Sequence, residues 1–366
     1  MAVWKWTVLL LMASLTSFCA SADTTHIKYY QLAFEEQQQM LRGEIPFDFR
    51  RAVFITENSY YEGKLKYADF KKVIAETGIK LKNFIVESEM SSYKTAGQWA
   101  AFTYMTEKLE INNHKVYTYD FEDYFGEEDY TKMFVTKLMK EKNGNCHSLP
   151  YLYKILCDEI GVETHLAITP NHVYIKHISE KGSWTNVELT NASFPKDKWI
   201  VKDFEIPKKA VENKLYMQPL SNEETLSITL FDLANAYDVQ FGVDSFYLSI
   251  VDTALSYFPH CVPLLMNKAN YYTELGNRER KRAFPSLEYL AALKKSEDFV
   301  DEKIRELGHR GMSKKMYAKM VRMMAKQKVK HEKRQDREDK RNAKKKDRQE
   351  KKKQAELEQD VQKETK

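Results

Sequence analysis

Between Cys146 and Leu189 the spacing of apolar residues switches from a helical to an alternating period, and no other feature constrains the fold as much. Leu149, Leu152, Tyr153, Leu156 and Ile160 line one face of a helix that Gly161 stops. Pro150 falls in its first turns, where a missing N–H is tolerated. Val162 to Ile168 and His172 to Ile178 then alternate and carry β-branched residues, with Thr169-Pro170-Asn171 between them as a turn. A third short strand covers Trp184 to Leu189. Helix, strand, turn, strand, loop, strand predicts an α+β core with an antiparallel sheet.

The flanks read as helical. Tyr67, Phe70 and Ile74 stand at i, i+3 and i+7, and Trp99, Phe102, Met105 and Leu109 repeat the pattern from Gln98 onward. These aromatics are expected to pack the core. From about Leu226 a weak internal repeat sets Ala234, Tyr237 and Gly242 against Ala269, Tyr272 and Gly276, with Ala254 and Pro259 closing the first unit. The spacing is similar to tetratricopeptide repeats. Two units are too few for a free-standing array, so they are expected to pack on the preceding domain.

Both ends stand apart from this body. Residues 1–22 carry Lys5, a short apolar stretch from Thr7 to Phe18, and Ala20-Ser21-Ala22, the pattern of a secretory signal peptide. The mature protein is then expected in the periplasm or outside the cell. A lipoprotein reading, with Cys19 acylated, competes, but Phe18 stands where a small residue is expected. The stretch from Ser313 to Lys366 holds 16 Lys and 5 Arg against 10 Asp and Glu, a net of +11 against +5 for the whole chain. The body is therefore acidic on balance; the tail is expected to be solvated and partly helical, with contact to an anionic surface as the sharper alternative and nucleic acid disfavoured as the protein's partner. Met316, Met320, Met323 and Met324 can extend one more amphipathic helix; from Lys326 on there is too little apolar surface to offset the entropy of folding. The expected domains are 1–22, 23–215, 216–312 and 313–366.

The mature chain keeps Cys146, Cys157 and Cys261, an odd number, so at least one thiol is free or paired with another chain. A Cys157–Cys261 disulfide is compatible with that count, and Cys157, on the helix interior, reads as packing. Cys146 sits where the helix starts, a place where the dipole and free N–H groups favour a thiolate and can hold an oxyanion. The Cys146 amide, with the side chain of Asn145 or Asn143, is the expected oxyanion donor, and Gly144 keeps the approach open. His172 opens a strand after a turn, in an exposed position able to face the helix start. Glu188, on the neighbouring strand, can accept from its other nitrogen and fix the tautomer. His147, His165 and His177 read as surface or satisfied histidines. A zinc site from Cys146, His147, His172 and His177 is disfavoured, because His172 and His177 are five apart on a strand and point to opposite faces.

Gly144-x-Cys146 opening a helix, a histidine on the next strand pair, and Trp184-x-x-x-Glu188-x-Thr190 together resemble the transglutaminase-like branch of the papain-like superfamily. The resemblance covers roughly residues 130–200. It implies Cys146 as nucleophile, His172 as base and Glu188 as the acidic partner, with Trp184 and Thr190 flanking. The family usually has Asp where this chain has Glu188, so the carboxylate is one C–C bond further out. Asn186, on the same face, is the fallback. A transglutaminase-like core followed by tetratricopeptide-like helices also resembles a group of uncharacterised bacterial proteins.

The expected activity is thus an exported thiol hydrolase or acyl transferase, a cysteine peptidase or amidase acting on peptide or cell-wall-like amide bonds. It needs no cofactor or metal, and nothing suggests a calcium-binding loop. The alternative is an inactive transglutaminase-like scaffold that holds a protein partner through its helical repeats and basic tail.

Overall fold

Two buried faces of opposite period meet in this chain, a helical one before Gly161 and an alternating one after it, and the rest packs around them. The computed structural model describes residues 27–330, together with 332, 333, 336, 337 and 340. Residues 1–22, where a signal peptide is expected, Cys19 among them, and most of the tail past 330 lie outside the described residues.

The first half is helical: α1 (Ile27–Leu41), α2 (Phe49–Tyr60), α3 (Tyr67–Glu87) and α4 (Ala96–Thr106). Phe70 and Ile74 of α3 are buried as their spacing predicts, each contributing about 1.5–3 kcal/mol by leaving water. Trp99 stacks on Phe84 at 4.9 Å, joining α4 to α3. A two-residue strand β1 (Thr118–Tyr119), then α5 (Val135–Glu141) and β2 (Asn143–Gly144), lead into α6 (Ser148–Ile160). β1 and β2 pair in parallel, with Tyr119 beside Gly144. Gly161 ends α6 at φ 79, the left-handed conformation that glycine adopts without a Cβ clash.

β3 (His165–Thr169), β4 (His172–Ile178) and β5 (Trp184–Val187) form an antiparallel sheet in that order. The molecule is therefore α+β, mostly helical, with a small antiparallel sheet. Thr169 pairs with His172, so Pro170 and Asn171 make a two-residue turn. Proline fixes the first turn position and Asn171, at φ 56, tolerates the second, the arrangement of a type II turn. β5 stops two residues short of the predicted Leu189. Beyond it Glu188 exchanges backbone hydrogen bonds with Ser193 at 2.8 and 2.9 Å, which folds the chain back on itself.

After α7 (Asp197–Asp203) and α8 (Lys208–Glu212) come two helical hairpins, α9 (Asn222–Phe241) with α10 (Ser245–Tyr257) and α11 (Val262–Arg280) with α12 (Leu287–Glu306). Ala234 and Tyr237 are buried in α9 and their counterparts Ala269 and Tyr272 pack against the core from α11. The glycines do not correspond: Gly242 caps α9, whereas Gly276 lies inside α11. Nor is position 215 a loose boundary. The amides of Met217 and Leu220 donate to Ile168 and Leu166 of β3, both at 2.9 Å. α9 packs on α1 and α2, where Gln37 links Thr56 and Thr229 by side-chain hydrogen bonds of 3.0 and 2.6 Å. One apolar core runs from Tyr30 to Ile304. Residues 314–330 form a further helix. No helix among the described residues is long and apolar enough to cross a membrane.

Candidate active site

The start of α6 is fixed by its own side chains. Asn145 Oδ1 accepts the amides of His147 and Ser148 at 3.0 and 3.1 Å, and its amide nitrogen donates to Met133 Sδ at 2.8 Å. Gly144 has no room for a side chain: a Cβ there would stand 2.4 Å from Ser148 Oγ and 2.8 Å from Leu138. Its absence thus serves close packing beneath the helix, not access to the thiol. Between these two residues and His147, Cys146 is held at the mouth of α6, partly exposed.

His147 is neither on the surface nor at the thiol's working face. It is buried, with Nδ1 2.9 Å from the Met133 carbonyl and Nε2 2.8 Å from Asp232 Oδ1. Burial disfavours its charge, but Asp232 outweighs this and raises its pKa. Asp232 Oδ2 also accepts from Tyr151 at 2.7 Å. Nearby Glu57 accepts the first amides of α5, Val135 and Thr136, at 2.6 and 2.9 Å. Burial pushes its carboxyl up to about 7 against those bonds. This polar group ties the turn that carries Cys146 to α2 and α9.

On the sheet, register decides which side chains meet. Ile175 opposes Val187, so one step further Glu188 stands opposite Tyr174, on the face that also carries His172. His172 Nε2 lies 2.5 Å from Glu188 Oε2. Glu188 Oε1 accepts from the Thr190 amide and hydroxyl at 2.9 and 2.7 Å. Asn186 shares the face but opposes Lys176, too far along the strand, and its amide donates to Pro195 and Asp197 at 2.9 and 2.7 Å. It is not the acid's substitute.

With Nε2 committed to Glu188, Nδ1 is the ring nitrogen left to serve Cys146, which lines the same cavity and lies near enough to act on the imidazole electrostatically. The ring is not exposed as expected: its side chain is 9% accessible, and Phe204 stacks on it at 4.9 Å. Burial alone would lower the His172 pKa. The carboxylate of Glu188, its hydrogen bond to the ring and the neighbouring Cys146 overcome that and hold it up to about 10. Burial likewise raises the Glu188 carboxyl, but the His172 charge and the Thr190 bonds leave it below its ordinary range.

The structure thus brings Cys146, His172 and Glu188 together, at one end of a cavity of about 240 Å³. It does not bring in the other three expected residues. Asn145 is occupied as the cap of α6. Asn143 lines a different depression and donates to Thr118 at 3.2 Å. Trp184, 46% exposed, sits edge-on to His165 outside the cavity. Tyr119, buried on β1, lines the cavity instead. Burial, then the charges of Cys146 and Glu188, push its phenol well above the ordinary range, so it stays a hydrogen-bond donor. Its pairing with Gly144 is the signal that places it, and a two-residue strand leaves no trace in sequence periodicity.

The remaining cysteines are separate. Cys157 and Cys261 are fully buried and free, so the disulfide that the cysteine count left open between them is not formed. Burial raises both thiols, Cys261 to about 12. His165 bonds to Leu220 and Glu163, and His177 to the Ile178 carbonyl. No group of three or more His, Cys, Asp or Glu among the described residues is placed to hold a metal ion. Comparison with known proteins finds no matching family model, curated protein or solved structure.

Proposed function

We propose that the chain is an exported thiol hydrolase or acyl transferase with a transglutaminase-like core, in which Cys146 attacks an amide or ester carbonyl. The observation that carries this reading is the His172 imidazole bonded to Glu188 with Cys146 lining the same cavity. Export rests on the pattern of residues 1–22, and the likeness of α9–α12 to tetratricopeptide helices rests on their paired packing.

The chemistry follows from the atoms present. The Cys146 sulfur bonds to the carbonyl carbon, and the displaced π pair becomes an oxyanion. The Cys146 amide and the Tyr119 hydroxyl are the donors suited to that oxygen, now that Asn145 and Asn143 are engaged elsewhere. His172 gives its Nδ1 proton to the leaving amine as the C–N bond breaks, leaving a thioester on Cys146. Water or another acceptor then attacks, His172 takes its proton, and the sulfur leaves as thiolate. Glu188 keeps the ring in one orientation and offsets its positive charge throughout.

Water is the expected acceptor, which favours cleavage over crosslinking. Full-length protein is to be offered peptide, isopeptide and cell-wall-type amide substrates, with intact-mass detection of an acyl adduct. An adduct on Cys146 that is absent in Cys146→Ala supports the reading. No adduct with any acyl donor, including activated esters, favours the scaffold alternative.

A further inference from the structure

One wall of the cleft at Cys146 comes from a distant segment of the same chain. The helix over 314–330 supplies it, and Met316, Met320, Met323, Met324 and Gln327 line the same cavity as Cys146 and His172. These positions recur at i, i+4, i+7, i+8 and i+11, one face of a helix. They are partly buried, whereas Tyr317, Ala318, Val321, Arg322 and Ala325 are exposed. Methionine is flexible and polarizable, and repacks against irregular apolar walls better than branched side chains do. Here the opposing wall includes Phe204 and Tyr124.

The rim is charged in the complementary sense. Lys319 bonds Glu205 at 2.6 Å, Lys328 pairs with Glu122, and Arg310 approaches Glu205 at 3.7 Å. The lysines and Glu122 are solvent-exposed, so each contact is weak and screened by salt. The segment walls the cleft with adaptable side chains and is held there by bonds that are easily exchanged.

We propose that this cleft is a binding groove for a basic amphipathic polypeptide segment bearing methionines, and that residues 312–330 are its resident occupant, covering the thiol from bulky partners until displaced. The proposal rests on the reading of Cys146 as nucleophile and names what its groove accepts. A competing segment needs apolar side chains at helical spacing to face Phe204 and Tyr124, and lysines or arginines to reach Glu122 and Glu205.

The test uses full-length protein with Lys319→Glu and Lys328→Glu, which turn both rim attractions into repulsions. Alkylation of Cys146 is followed by mass spectrometry with a small reagent, iodoacetamide, and a bulky one, a polyethylene-glycol maleimide. The bulky reagent is expected to react roughly tenfold faster with the variant than with wild type, while iodoacetamide changes far less. Adding a synthetic peptide of residues 312–330 should slow the bulky reagent again, and combining the variant with Glu205→Lys and Glu122→Lys should restore the wild-type rate. Cys157 and Cys261 must stay unlabelled, which shows that the core is intact. Equal bulky-reagent rates in wild type and variant overturn the proposal, as does a peptide without effect. Alkylation needs only a reachable thiol, so a variant that opens the cleft yet forms no acyl adduct defeats the enzyme reading and leaves the groove standing.

Discussion

Glu188 reaches His172 at 2.5 Å although it is one carbon longer than the acid expected at this position. The extra length is absorbed because Thr190 holds the second carboxylate oxygen through both its amide and its hydroxyl. Glu188 is therefore fitted to the turn between β5 and Ser193, and the longer side chain is no weakness of the site.

On the proposed function, shortening the acid should lower activity. Glu188→Asp should lower kcat/KM roughly tenfold, and Glu188→Gln by roughly a hundredfold or more, as loss of the orienting carboxylate does in related triads. Steady-state kinetics on a substrate found by acyl-adduct screening measures this. An Asp variant as active as wild type would show that the carboxylate's reach is immaterial.

The His172–Glu188 pair also sets a pH dependence of stability. The His172 pKa stands above its ordinary 6.5, at about 10, so its contribution is complete below about 6.5 and fades as pH rises toward about 10. Glu188 is shifted down, so its contribution is present above about 4.5 and fades as pH falls below that. Denaturant unfolding of wild type and His172→Gln should differ most between about pH 4.5 and 6.5. A difference that grows steadily toward pH 10 would contradict this.

Asp232 serves the nucleophile's turn from α9. Removing its carboxylate leaves His147 and Tyr151 buried without their partner. Asp232→Ala should destabilise the fold by roughly 3–5 kcal/mol, read from denaturant midpoints. A loss no larger than that of an exposed surface substitution would show that the network is dispensable.

Tyr119→Phe keeps the ring and removes the hydroxyl. If that hydroxyl binds the oxyanion, kcat should fall by roughly a hundredfold with KM little changed. Unchanged kcat would return the role to backbone groups alone.

The parts of this molecule that sequence reveals are those with a local period. The helix from Leu149, its stop at Gly161, and the hairpin at Pro170-Asn171 all follow from spacing and turn chemistry, and with them the face shared by His172 and Glu188. Contacts between distant segments leave no such signal. His147 meets Asp232 across 85 positions, and Phe204 reaches His172 from α7's end. Asn145 carries a local signal of another kind: Asn side chains accept nearby backbone amides at helix openings, and here Oδ1 takes those of His147 and Ser148 before any oxyanion can. The methionine period of 316–324 predicts an amphipathic helix, but not that its apolar face closes over Cys146.

The most direct test of the account is the iodoacetamide alkylation rate of each cysteine in native full-length protein near neutral pH. A thiol paired with an imidazolium reacts as thiolate. Cys146 should therefore be alkylated while Cys157 and Cys261 are not, and His172→Ala should slow Cys146 by about tenfold or more. Equal Cys146 rates in wild type and His172→Ala, with the fold intact, would contradict the assignment of the pair.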